Sequence, residues 1–129
     1  MGERTIRITA GEVAATATLD ASKTAEAIWN ALPIEGKAST WGDEIYFDIG
    51  LAIAAESPTE VVALGDIGYW PPGSAFCIFF GRTPVSTGNE IRPASAVNVF
   101  GRVSGDSTVF KKVRAGVKVK LERADTRKG

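Results

Sequence analysis

At 129 residues and 13.6 kDa, with 44% hydrophobic and 23% charged residues, the chain has the size and make-up of one globular domain, residues 1–129. Histidine is absent altogether, which excludes Ser-His-Asp and Cys-His catalysis and every His-ligated metal site. Net charge is zero but lopsided: residues 102–129 carry nine Lys/Arg against three acids, +6, and the first 101 residues carry −6.

Residues 4–9 alternate Ile6 and Ile8 with polar neighbours, and after Ala10-Gly11 a second alternating run reaches Leu19, so the start reads as a hairpin. Ala25, Ile28, Trp29 and Leu32 then fall at i, i+3, i+4 and i+7, one apolar helix stripe, with Ser22 as N-cap and Pro33 just past the end. Over residues 37–49 the alternation puts Trp41, Asp43, Ile45, Phe47 and Ile49 on a core face and Glu44, Tyr46 and Asp48 on the other. Residues 51–55 fit strand or helix, 61–64 a short strand, and 66–70 a strand stopped by Pro71-Pro72-Gly73.

Residues 76–80 and 97–103 are nearly continuous apolar strands, and the segment between them, with Pro84, Gly88 and Pro93, is a long loop of the type that carries function. A short helix over 108–114 and a last strand over 117–123 complete the chain, with a frayed tail at 125–129. The sum is about eight strands with one or two short helices and no strand-helix alternation. A closed, mainly β barrel capped by the helices leaves no exposed edge.

Cys77, the single cysteine, lies inside the apolar run Phe76-Cys77-Ile78-Phe79-Phe80 and reads as a small buried hydrophobe; no intrachain disulfide can form. No apolar run approaches the roughly 18 residues of a membrane span, and Met1-Gly2-Glu3-Arg4 leads into strand-like sequence without a signal-peptide pattern. A cytoplasmic protein with no membrane partner is expected. The basic end alternates charge along Val117-Lys118-Val119-Lys120-Leu121-Glu122, as a half-buried strand does, and no aromatic residue follows Phe110 to stack on bases, so no nucleic-acid partner is expected either. No Gly-x-Gly-x-x-Gly, phosphate loop or Cys-x-x-Cys occurs, so no cofactor and no metal are expected.

Several segments carry a resemblance. Asp20-Ala21-Ser22-Lys23-Thr24-Ala25-Glu26 resembles the Pro-Lys-Thr-Ala-Glu opening of the first cyclophilin helix. Gly73-Ser74-Ala75-Phe76-Cys77-Ile78 and Val97-Asn98-Val99-Phe100-Gly101-Arg102-Val103 resemble two cyclophilin strands. The motifs Trp41 to Phe47, Gly65 to Gly73 and Glu90 to Ser95 are similar, over nearly the whole chain, to a microbial family of small cyclophilin-like proteins of no established function. The resemblance implies a closed eight-stranded barrel capped by two helices.

It does not imply the isomerase site. Catalysis of prolyl isomerisation lowers a rotation barrier of about 18–20 kcal/mol, and cyclophilins do so with an arginine directed at the imide over an apolar proline pocket. No lysine or arginine stands between Lys37 and Arg82, where that arginine belongs. Position by position, Ala75 replaces the pocket glutamine, Cys77 the second phenylalanine and Val97 the histidine, whereas Phe76 and Phe100, which belong to the barrel interior, are kept.

The reading is therefore a barrel that binds a small or peptide ligand in a surface groove beside Tyr46, Trp70, Ala75, Cys77, Phe79 and Val97, with Arg92 as polar anchor and little or no isomerase activity. Trp70 beside Pro71-Pro72 offers a rigid apolar wall, and Arg92 alternatively makes an ion pair with Glu90 or Glu44. Two other readings stay open: an atypical prolyl isomerase in which Arg92 is the catalytic residue, and an enzyme acting on a small acid. Oligomeric state is not legible.

Overall fold

The computed structural model describes residues 4–124; the tail expected to fray, 125–129, lies outside the described residues. Alternation of Ile6, Ile8 and Ala10 with polar neighbours makes β1 (Arg4–Ala10), which turns at Gly11 with φ +61° into β2 (Val13–Leu19) and pairs with it antiparallel. The helix follows as α1 (Lys23–Ala31), and Ser22 caps it, its Oγ accepting the Ala25 N–H at 3.0 Å. Ala25 and Ile28 of the expected stripe are fully buried, Trp29 is half-buried, and Leu32 is the C-cap.

The remaining strands are β3 (Ile34–Lys37), β4 (Ser39–Thr40), β5 (Glu44–Asp48), β6 (Asp66–Trp70), β7 (Ala75–Phe79), β8 (Asn98–Val103) and β9 (Lys118–Arg123). They form one sheet in the order β3-β9-β1-β2-β8-β6-β7-β5-β4, antiparallel throughout. Its two edge strands are consecutive in the chain, separated by Ala38 alone, so the sheet nearly closes on itself. β3 and β4 are two halves of one bent strand: residues 34–40 pair with β9 in the first half and with β5 in the second, so eight strand paths make up the barrel. Gly36 permits the bend, since a Cβ there would lie 2.7 Å from the Phe47 ring.

Inside the barrel, Phe76 packs against Phe47 and Phe100 with ring centroids 5.4 and 5.6 Å apart. Because β2 and β8 pair with Leu19 opposite Gly101 and Ala17 opposite Val103, the helix that follows Leu19 and the 3-10 turn that follows Val103 lie at opposite ends. That second turn, Ser107–Lys112, seats Phe110 in the core 6.2 Å from Phe80. It stands where an α-helix over 108–114 was expected.

Three other expectations are corrected. Trp41 and Asp43 are not on the core face of a continuous strand, because the chain reverses there: Gly42 has φ +61° and the Trp41 N–H donates to the Glu44 carbonyl at 3.0 Å. Residues 61–64 form no strand, only a bridge from Val62 to Ile91. Residues 51–55 are neither strand nor helix; the Tyr69 hydroxyl holds them by donating to the Leu51 carbonyl and accepting the Ile53 N–H at 3.1 Å. No helix among the described residues is long and apolar enough to cross a membrane.

Candidate functional site

Since Ile45 and Phe47 of β5 and Phe76 and Ile78 of β7 point into the barrel, their neighbours Glu44, Tyr46, Ala75, Cys77 and Phe79 point outward. An outward face this apolar needs cover. The loops supply it: Val62, Ile91 and Val97 close over Ala75, Cys77 and Phe79 to make a second hydrophobic cluster outside the barrel. Val97 fits because Gly68 lies beneath it, where a Cβ would approach the Val97 side chain to 3.1 Å.

The cover is incomplete at one place. There Trp41, Glu44, Tyr46, Trp70, Pro93, Ala94 and Val97 line a pocket of about 220 Å³ that opens to solvent. Trp41 comes from the β4–β5 turn, Glu44 and Tyr46 from β5, Trp70 from the end of β6, and the rest from the segment before β8. Trp70 is fixed on both edges. Its indole Nε1 donates to Ser95 Oγ at 2.7 Å, and its ring lies so close over Gly73 that a Cβ there would meet it at 2.8 Å.

Glu44 is the unusual member. Only 5% of it is exposed, and it belongs to no ion pair among the described residues. Burial raises its pKa from 4.5 to about 7, although the Cys77 thiol, as a hydrogen-bond donor, pulls the other way. Cys77 in turn is pushed well above the ordinary thiol range, first by burial and then by the neighbouring carboxylate.

Of the expected ligand-binding residues, Tyr46, Trp70 and Val97 come together in the pocket lining, while Ala75, Cys77 and Phe79 lie buried beneath it as a floor. Arg92 stands one residue before the lining. Its Nε reaches Glu90 Oε2 at 3.4 Å, its N–H donates to Ser86 Oγ at 3.3 Å, and its carbonyl accepts the Thr83 hydroxyl. Glu90 is itself held near a pKa of about 2 by the N–H and hydroxyl of Thr87 and the N–H of Gly88, each donating at 2.8 Å. The loop is thus tied by its own hydrogen bonds. Trp41, Glu44, Pro93 and Ala94 were not among the expected binding residues; the available signal was an acid beside Tyr46 in a stretch with no cation between Lys37 and Arg82. No cluster of three metal-ligating side chains occurs among the described residues.

An antiparallel barrel of this topology, nearly closed by one bent strand, is of the cyclophilin-like class. The chain belongs to the cyclophilin-like family, whose model matches residues 4–122. It is similar to the solution structure of a hypothetical protein from Archaeoglobus fulgidus, with 44% identity over 95% of each chain and a TM-score of 0.80. No curated protein matches it.

Proposed function

We propose that the chain is a one-domain binding module that holds a small molecule or a short peptide segment in the outer pocket, with little or no prolyl isomerase activity. The observation that carries this reading is the pocket itself: an open, aromatic-walled cleft on a covered sheet face, lined by a buried carboxyl and by no lysine or arginine. A pocket with apolar walls and one placed polar group orients a ligand. An arginine aimed at an imide, which would weaken amide resonance, has no counterpart in its lining.

Ala75, Cys77 and Phe79 serve the same site from below, holding the outer face flat under the ligand. Arg92 is an anchor at the rim, outside the lining, where its guanidinium can donate to a ligand carbonyl. A cytoplasmic setting fits the lone Cys77, which is a free thiol.

The test is two-dimensional NMR on the purified protein mixed with a set of Xaa-Pro peptides and, separately, small polar metabolites. Protein shifts confined to Trp41, Tyr46, Trp70 and Val97, without cis-trans exchange peaks, are expected. Catalysed exchange that disappears in Arg92→Ala would overturn the reading in favour of an isomerase.

A further inference from the structure

We infer that the group received by this pocket is an alkylated ammonium, with Glu44 as its counter-ion and Trp41, Tyr46 and Trp70 as its walls. The inference rests on the binding-module reading above and deepens it by naming the ligand's chemistry.

Three observations converge. The pocket has three aromatic side chains in a lining of seven residues, and the negative face of an aromatic ring attracts a cation, more strongly when both are removed from water. Its one ionisable carboxyl is nine-tenths buried and pairs with no lysine or arginine among the described residues, so the positive partner that a buried carboxylate requires is missing. Finally, the surrounding chain is acidic. The stretch between Lys37 and Arg82, which supplies four of the lining residues, holds Asp43, Glu44, Asp48, Glu56, Glu60 and Asp66 and no cation.

Size and shape narrow the class further. At about 220 Å³ the pocket is smaller than the roughly 300–1,000 Å³ that holds a drug-sized molecule, so it takes a headgroup rather than a long ligand. A bare ammonium or metal ion would keep its water and gain little from indole faces. Methyl or methylene groups on the nitrogen spread the charge, shed water easily and fill the space between rings. An anion would meet Glu44 with no compensating charge.

The ionisable neighbours of Glu44 are Cys77 from β7 and Tyr46 from its own strand; Asp43 in the adjoining turn faces Lys111 at 3.9 Å, and Arg92 in the covering loop faces Glu90. None of these supplies a free positive charge to the pocket. Occupation by a cation therefore favours the ionised carboxylate, and affinity rises with pH through the Glu44 titration.

The test is calorimetric titration with choline and with its neutral isostere 3,3-dimethylbutanol, at pH 5.5 and 8.5. Choline is expected to bind at least tenfold tighter than the isostere at pH 8.5, with that preference shrinking at pH 5.5. In Glu44→Gln the preference shrinks and no longer changes with pH, while the isostere still binds. Trp41→Leu keeps the wall apolar but removes a ring face, and should also reduce the ratio; it serves if the Glu44 variant does not fold. A trimethyllysine peptide run in parallel identifies the source: tighter than choline, the group belongs to a protein side chain, and weaker, to a free small molecule. Equal affinity for choline and the isostere would overturn the ammonium class and leave the binding module standing. Binding of neither choline nor the trimethyllysine peptide would overturn the inference outright.

Discussion

Glu44 and Cys77 stand diagonally across the β5–β7 pair on the outer face of the barrel, carboxyl against thiol, because Glu44 is opposite Phe79 and Cys77 opposite Tyr46. Burial raises the cost of charging either group; the carboxylate adds to that cost for the thiol, whereas the thiol, as a donor, eases ionisation of the carboxyl. The pair is therefore neutral on both sides at moderately acid pH, and only Glu44 ionises as pH rises through about 7.

This fixes a sign for stability. A carboxyl whose pKa is about 7 in the fold and 4.5 outside it binds more protons folded than unfolded within that window, so stability falls as pH rises from 4.5 through 7. The contribution is on the order of 3 kcal/mol. Glu44→Gln mimics the protonated form. Urea unfolding should find the variant close to the parent at pH 4.5 and more stable than it at pH 8.5; a parent whose stability difference from the variant does not change with pH would refute the assignment.

Cys77 should be chemically silent in the native protein. Its thiolate is disfavoured by burial and by the carboxylate, and it is the thiolate that reacts. Iodoacetamide at pH 8 is expected to label the protein only at the rate at which it unfolds, rising steeply with urea. Rapid labelling without denaturant would mean that the second cluster opens on its own.

Much of this was legible in the sequence, and the parts that were not have physical reasons. Alternation placed Phe76 and Ile78 inside and Ala75, Cys77 and Phe79 outside, as the two hydrophobic clusters confirm. Strand boundaries were missed at two places: residues 34–36 were not read as strand although 34–40 pairs first with β9 and then with β5, and 61–64 were read as a strand and make only a bridge. Trp41 and Asp43 were misplaced because period-two alternation continues through a tight turn when the turn residues happen to match it; Gly42 was the only sign of reversal. Tyr46, Trp70 and Val97 of the lining were legible and Pro93 and Ala94 were not, since these two come from a loop whose path depends on hydrogen bonds among Thr83, Ser86 and Arg92. Burial of Glu44 was hidden for the same reason: only the loops cover it.

Gly73 sets the position of the Trp70 wall. A methyl group at Gly73 would lie 2.8 Å from indole Cε3 and Cζ3, and a ring held at its other edge by Ser95 cannot slide away without breaking that hydrogen bond. Gly73→Ala should cost about 1–3 kcal/mol, as over-packing does. It should also shift the tryptophan emission. The shift is expected to vanish in a Trp70→Phe background, where Trp29 and Trp41 alone report; persistence there would place the change elsewhere.

Asn98 ties the helix to the segment that precedes β6, and its loss should be felt more than any surface change. Only 1% exposed, it accepts the Glu56 N–H at 2.9 Å and donates to the Ala54 carbonyl at 2.9 Å and to Thr24 Oγ1 at 3.1 Å. Glu56 then reaches back to the start of α1, its carboxylate accepting the N–H groups of Lys23 and Thr24 and the Thr24 hydroxyl. These bonds hold its pKa below the ordinary value, as expected for a carboxylate at a helix N-terminus. Asn98→Ala leaves the half-buried Glu56 N–H and the Ala54 carbonyl without their partner and unseats Glu56 at the same time. A loss on the order of 3 kcal/mol is expected. In a double-mutant cycle Asn98→Ala and Glu56→Gln should couple, the second change costing less once the first is made, because both act on Thr24. Additive losses would show two independent ties instead of one network.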